Sequence, residues 1–247
     1  MLLPGESFEP LSREISVIVS DAHRFNTDTI LLADVSRPRA GETCADFGTG
    51  CGTIPLIWCA RSDAKQIYAV ELQESACDMA RRSVEQNGLQ SRISVINGDI
   101  RTLPRDGRIP HGLDVIACNP PYKPEGTGLK NPQAELRTAR HEVSCTFAEI
   151  AASAASLLRW GGRFFCCLRP ERLCDALVTL RVAGLEPKRI RFVQQREEKA
   201  PKLFLLQANR GGKPGMMAEP VLLIEKQDGS YSDEMNRIYG DYRGEHL

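Results

Sequence analysis

Asn119-Pro120-Pro121-Tyr122 closes the apolar run Leu113–Cys118 and brings an amide, a stiff backbone turn and an aromatic ring to one point. The side-chain carbonyl of Asn119 and the main-chain carbonyl of Pro120, which has no N–H of its own, can both accept from an NH2 group. A planar amine such as adenine N6 delocalises its lone pair into the ring and is a poor nucleophile. Two acceptors on its hydrogens return electron density to nitrogen and aim it. Pro121 stiffens the turn, and Tyr122 can stack on a base, a contact worth about 1–3 kcal/mol. The same four residues also suit a rigid strand-end turn with Tyr122 as packing. What lies upstream decides between the two.

Upstream stands Asp46-Phe47-Gly48-Thr49-Gly50-Cys51-Gly52, between a short apolar run and a helical stretch. Glycines there let the backbone approach a ligand closely, and the helix start beyond offers free N–H groups to a carboxylate or phosphate. The dinucleotide fingerprint is Gly-x-Gly-x-x-Gly; this chain has Gly-x-Gly-x-Gly with an acid two residues ahead. That acid would repel a pyrophosphate but accepts from an ammonium group. The combination suits the amino acid end of S-adenosylmethionine, with Asp46, Gly48, Thr49, Gly50 and Gly52 as the candidate cradle. Glu71 closes the next strand-like run, where a carboxylate accepts from ribose hydroxyls. Asp99 follows the third, where it can accept from an adenine amino group. Leu72 and Ile100, each one residue beyond those acids, are counted with them as cofactor-binding, and so is Asn119. Singly, each acid is an ordinary solvated loop residue or cap; at the ends of successive strands they point to a nucleoside ligand.

These residues need a frame, and the hydrophobic periodicity supplies one. Strand-like runs at Thr43–Phe47, Gln66–Val70, Ile93–Asn97, Leu113–Cys118 and Arg163–Leu168 alternate with helical spacing over 53–61, 76–84, 143–158 and 173–180. Such alternation predicts an α/β fold with a mainly parallel sheet and helices on both faces. Ile190–Gln195 and Leu203–Ala208 are joined by a link too short for a crossover helix, so an antiparallel pair at the sheet edge is expected. Val221–Glu225 is a further strand candidate, and Thr29–Asp34 resembles a short helix. The organisation expected is a single domain over 41–247, preceded by an N-terminal extension over 1–40.

Hydrophobic residues make up 42% and charged residues 26%, which is ordinary for a water-soluble chain; 32 basic and 32 acidic side chains cancel, so a polyanion partner must be held by a local patch. Lys188, Arg189, Arg191, Arg196, Lys199, Lys202, Arg210 and Lys213 crowd the tail. They read either as such a patch or as a solvated sheet edge guarded by cations. No apolar stretch approaches the roughly twenty residues of a membrane span and no leader pattern opens the chain, so the cytoplasm is expected. Nine scattered cysteines without a Cys-x-x-Cys pair suit buried small hydrophobes in a reducing compartment, and no metal site is expected.

The Asp-x-Gly-Thr-Gly-x-Gly turn followed by Asn-Pro-Pro-Tyr resembles the class I S-adenosylmethionine-dependent methyltransferases that modify exocyclic or amide nitrogens. Over nearly the full length the chain resembles, more narrowly, the bacterial valine-tRNA adenine-N6-methyltransferases, which act on the adenine beside the anticodon. The narrower likeness rests on Arg24-Phe25-Asn26-Thr27-Asp28-Thr29, on Ala139-Arg140-His141-Glu142 and on Arg169-Pro170-Glu171-Arg172-Leu173. Asn26 stands where that family usually has Gly. The resemblance implies a Rossmann-like class I fold, a seven-stranded mainly parallel sheet with an antiparallel edge hairpin, S-adenosylmethionine as cofactor and RNA, a tRNA, as partner. It implies that residues 1–40 also serve as the cofactor lid. Phe25–Asp28 would cover the methionine end, with Thr27 or Asp28 near it; Asn26 or Thr27 could equally cap the helix that follows, and both can hold. Lys123 and Lys130 flank the active rim, and Arg140 and His141 would meet RNA phosphate or cap a helix. Tyr122, Lys123, Arg140 and His141 thus form the substrate-binding set, and Asn119, Pro120, Pro121 and Tyr122 the catalytic one. Glutamine-N5 and guanine-N2 methylation share the same clamp, and a cofactor-binding module without activity is the reading from another class.

Overall fold

The computed structural model describes residues 2–120 and 145–240. Pro121, Tyr122, Lys123, Lys130, Arg140 and His141 lie outside the described residues.

A parallel sheet forms the centre. Its strands β3 (Thr43–Phe47), β4 (Gln66–Glu71), β5 (Ile93–Asn97), β6 (Leu113–Cys118) and β7 (Leu158–Leu168) lie in the order β5-β4-β3-β6-β7, all parallel. These runs are near-continuously apolar because both faces are covered. Cys44 packs with the layer of α1 (Thr27–Val35), α2 (Thr53–Arg61) and α3 (Glu74–Gln86), while Ala45 and Phe47 face α5 (Phe147–Leu157) and α6 (Leu173–Val182). A short α4 (Leu103–Asp106) links β5 to β6. Beyond β7 the hairpin of β8 (Leu185–Gln194) and β9 (Leu203–Arg210) completes the seven principal strands. β9 is inserted antiparallel between β7 and β8, so β8 runs in the direction of β7. Two two-residue strands, β10 (Met217–Ala218) and β11 (Leu222–Leu223), then pair with the outer edge of β8, giving nine in all.

Two boundaries differ from the sequence expectation for identifiable reasons. β7 starts at Leu158, not Arg163, because a register shift between Leu113 and Val115 absorbs Arg159–Gly162, where Gly161 adopts φ 75°. β8 starts at Leu185, not Ile190, with Pro187 at an irregularity in its pairing with β9; a proline breaks strand pattern yet is tolerated at a bulge. The helical stripe read from residue 143 enters α5 at Phe147, where Thr146 and Glu149 form a reciprocal capping box.

The N-terminal extension holds more structure than expected. β1 (Glu6–Pro10) and β2 (Ser16–Ser20) form an antiparallel hairpin that buries Val17, Ile18 and Val19 against α2 and α3. Polar bonds fix it there: Ile18 N–H donates to Ser83 Oγ at 2.9 Å, and Ser16 exchanges bonds with Asn87 at 3.0 and 2.7 Å. Arg82 holds both oxygens of Glu6 at 2.6 and 2.7 Å, with the Glu6 side chain only 7% exposed. The Arg82 hydrogen bonds bring the Glu6 carboxyl down to about 2. A depressed carboxyl stabilises the fold above its unfolded value of 4.5, and that contribution is lost as pH falls through about 2. Arg82→Gln should therefore lower stability at pH 7 by about 1–3 kcal/mol. Urea midpoints should show the gap between the two proteins narrowing as pH falls from 5 towards 2; a gap constant across that window would assign the loss to packing.

Among the described residues no helix is long and apolar enough to cross a membrane.

Candidate active site

The parallel register places the strand-end residues in a row. Phe47 lies opposite both Val70 and Cys118, and Glu71 opposite Asn97. Gly48, Glu71, Asp99 and Asn119 therefore stand along the carboxyl rim of the sheet, where ligands bind in open α/β folds. Asn119 is half-buried and Pro120 buried, immediately beyond β6.

Gly48, Gly50 and Gly52 adopt φ of 75°, 56° and 90°, a region that side-chain-bearing residues rarely adopt. The N–H groups of Gly48 and Thr49 both donate to Val70 O at 2.9 Å, turning the chain back over β4. Gly52 starts α2 and packs on α3: a Cβ there would sit 3.3 Å from that of Ala80. Glu71 accepts from Gly50 N–H through Oε2 and from Gln73 N–H through Oε1, each at 2.9 Å. One carboxylate thereby ties the glycine turn to the end of β4.

Asp46 is 1% exposed, and among the described residues neither of its oxygens nor the buried Thr49 hydroxyl has a hydrogen-bond partner. Burial pushes the Asp46 carboxyl up to about 7; Thr49 offsets part of the rise without completing a bond, and the nearby Glu71 charge adds to it. Buried polar atoms are normally satisfied. Two orphaned acceptors and a hydroxyl at the base of a glycine turn fit a cationic, hydrogen-rich group such as the ammonium of a bound amino acid.

Asp99 contrasts with it. Arg101 pairs with its carboxylate and holds it below the usual range. Leu72, one residue beyond Glu71, is 52% exposed, and Ile100, one residue beyond Asp99, is half-buried. At α1, Asn26 is the N-cap: its side chain accepts from Thr29 N–H at 3.1 Å. Its φ of −132° is extended backbone, so Asn stands in the glycine place of the resembled family without strain. Asp28 lies in the first turn. The Thr27 hydroxyl lies 3.0 Å from the Tyr239 hydroxyl on α7 (Asp233–Tyr239), whose ring stacks on Tyr231 with centroids 5.2 Å apart. Sequence reasoning missed this C-terminal contribution.

The basic tail is largely spoken for. Arg189 pairs with Glu219, Arg191 with Glu234 at 2.7 Å and Arg196 with Glu225 at 2.8 Å. Lys188 donates to Lys213 O at 2.9 Å, Lys202 to Gln195 at 3.0 Å, and Arg210 to the Leu158 and Ser156 carbonyls. Acids meet three of these eight cations and carbonyl or amide oxygens three more, so the tail reads as a sheet edge largely bonded within the chain. All nine cysteines are free thiols, seven of them buried, and among the described residues no three His, Cys, Asp or Glu side chains gather as metal ligands.

Residues 19–171 match the family model described as methyltransferase small domain. The chain is 35% identical over 224 residues to a tRNA1(Val) (adenine(37)-N6)-methyltransferase of Tolumonas auensis, covering 90% of both chains. It is 29% identical to the protein of the same name from Shigella dysenteriae, over 86% of this chain and 84% of that one. Among solved structures, a predicted O-methyltransferase of Agrobacterium tumefaciens superposes with a TM-score of 0.70 at 18% identity, over 87% of this chain and 97% of that one, a likeness of fold. The sheet order, the glycine turn and the row of strand-end acids are those of an S-adenosylmethionine-dependent methyltransferase. Within that class the chain belongs to the tRNA1(Val) (adenine(37)-N6)-methyltransferase family.

Proposed function

We propose that this enzyme transfers a methyl group to the exocyclic N6 of adenine in tRNA, at position 37 of the valine tRNA named by its relatives. The observation that carries the reading is the register of β3 with β6, which sets the Asn119-Pro120 end beside the Gly48 turn. That proximity supports reading the two as amine clamp and cofactor cradle.

Asp46 and Thr49 would hold the amino acid end of the cofactor, Gly48 to Gly52 its backbone-facing side, Glu71 the ribose, and Asp99 with Leu72 and Ile100 the adenine. Thr27 and Asp28, in the N-terminal segment 1–40, would cover the methionine end. Bound there, S-adenosylmethionine supplies a methyl group on an electron-poor sulfonium. Asn119 and Pro120 accept the two hydrogens of the target amine and turn its lone pair towards that methyl, Pro121 fixing the turn and Tyr122 stacking on the base. Orientation is the main contribution. No side-chain base is required, because a methylated aminopurine nitrogen bearing an extra proton is strongly acidic and releases it to water. Lys123, Arg140 and His141 are the candidates for contact with the RNA, and a tRNA substrate places the enzyme in the cytoplasm.

The test is transfer of radiolabelled methyl to separate tRNA, ribosomal RNA and protein pools, followed by nucleoside analysis. Label in N6-methyladenosine of valine tRNA is expected. Label in methylglutamine or N2-methylguanosine would replace this reading, and label in no pool would favour a binding module.

A further inference from the structure

Asp99, assigned above to the amino edge of the cofactor's adenine, does not stand alone. Oδ1 accepts from Arg101 N–H at 2.9 Å and from its Nε at 3.0 Å; Oδ2 accepts from Nε at 3.0 Å and from a terminal guanidinium nitrogen at 2.5 Å. A carboxylate offers about four lone-pair sites, and here three N–H groups converge on them from one residue. The Nε–H is shared between both oxygens, so three hydrogens occupy the carboxylate and one acceptor site remains. The far side of the Arg101 guanidinium reaches Glu149 Oε1 at 4.0 Å. Glu149 is itself fixed by the Thr146 N–H and hydroxyl at 2.8 and 2.9 Å.

A second arginine clasps the same turn from behind. Arg108 donates to Asn97 O at 2.7 Å and is oriented by Asp106 at 2.7 Å. Its guanidinium lies against Gly98, where a Cβ would come within 2.5 Å of it. The half-buried turn Asn97-Gly98-Asp99 is thus held by two arginines whose side chains are 33% and 44% exposed. Such bracing holds the Asp99 carboxylate in one orientation.

We propose that Arg101 is a positioning residue for the cofactor's nucleobase, locking Asp99 with a single acceptor site towards the 6-amino group and so making the site select a 6-aminopurine over a 6-oxopurine. The inference rests on the reading that Asp99 meets adenine. A 6-oxopurine turns a carbonyl towards that site, and an acceptor held rigidly against an acceptor is rejected more strongly than one free to swing away.

Binding of S-adenosylhomocysteine and of its 6-oxo counterpart, S-inosylhomocysteine, to the intact protein and to Arg101→Gln, Arg101→Lys and Asp99→Asn tests it. Arg101→Gln should weaken the adenine ligand about tenfold and the 6-oxo ligand less than twofold, with KM for S-adenosylmethionine raised and kcat near its original value. Arg101→Lys should recover part of the discrimination. Tighter adenine binding by Arg101→Gln would show that Arg101 competes for Asp99, and equal losses for both ligands would show a merely structural role; either overturns the proposal. An Asp99→Asn variant that binds both ligands like the unaltered protein would overturn the assignment of Asp99 and the proposal with it.

Discussion

Asn119→Ala should leave the affinity for S-adenosylmethionine within about twofold of the unaltered enzyme and cut turnover on the order of a thousandfold. Asn119 follows β6 and stands beside, not within, the glycine turn, so the cofactor would lose little. The target amine loses more. Its lone pair is spread into the ring, and in the proposed clamp the acceptors that draw it back are the Asn119 side chain and the Pro120 carbonyl. With one removed, the amine can rotate and water reaches its hydrogens. A thousandfold corresponds to about 4 kcal/mol, within the range measured for one well-placed hydrogen-bonding group at a reacting centre. Asn119→Asp keeps the shape and an acceptor, and should fall between the two. Calorimetry with S-adenosylmethionine and single-turnover methylation of valine tRNA separate binding from chemistry. If Asn119→Ala retained near-normal single-turnover rates, the clamp would be only a stiff strand end and another group would have to orient the amine.

What could be read from the chain was what local chemistry dictates. Thr43–Phe47 and 53–61 were legible because a strand buried on both faces is apolar throughout and a glycine turn announces the helix after it. The rim residues were legible because each follows a strand end, but their spatial order was not: the sheet order β6-β3-β4-β5 sets Asn119 beside Gly48 and leaves Asp99 at the far end. The β1–β2 hairpin had a signal, the run Ile15 to Val19, but its burial depends on α3, some sixty-five residues away in the Ile18–Ser83 bond. α7 was missed because its seven residues carry only Met235, Ile238 and Tyr239 as a buried face, and the Thr27–Tyr239 contact spans 212 positions. The fate of the basic tail was illegible for a similar reason. Glu219, Glu225 and Glu234 are plain in the sequence, but only the pairing of β10 and β11 with β8 and the placing of α7 bring them to the arginines. The orphaned state of Asp46 follows from the closing of every neighbouring element around it, which no spacing expresses.

That orphaned carboxylate carries the second large effect. In the unfolded chain its pKa is the ordinary 3.8; in the ligand-free fold it is about 7. Between these values the folded protein keeps a proton that the unfolded chain has released, so stability falls as pH rises through the window. The full loss is on the order of 4 kcal/mol above pH 7 for a shift of this size. It lies in a different range from the Glu6 contribution, which is lost on the acid side. Asp46→Asn removes the titration, so the ligand-free variant should gain stability relative to the unaltered protein as pH goes from 5 to 8. Binding should move the other way. An ammonium brought against Asp46 favours its ionised form, so cofactor uptake should release close to one proton near pH 6 and about half a proton near pH 7, and affinity should climb with pH until about 7. The Asn variant should bind S-adenosylmethionine on the order of a hundredfold more weakly, having lost a charge-assisted bond in a dry site, and should lose that climb. Denaturant midpoints at pH 5 and 8, with calorimetry in two buffers of different ionisation enthalpy, read both halves. Buffer-independent binding heats for the unaltered protein, together with a variant less stable at pH 8, would mean that Asp46 is already ionised and paired before the cofactor arrives. If both halves hold, Asp46 trades stability of the empty protein for a prepared seat, and the proton it surrenders marks the filling of that seat.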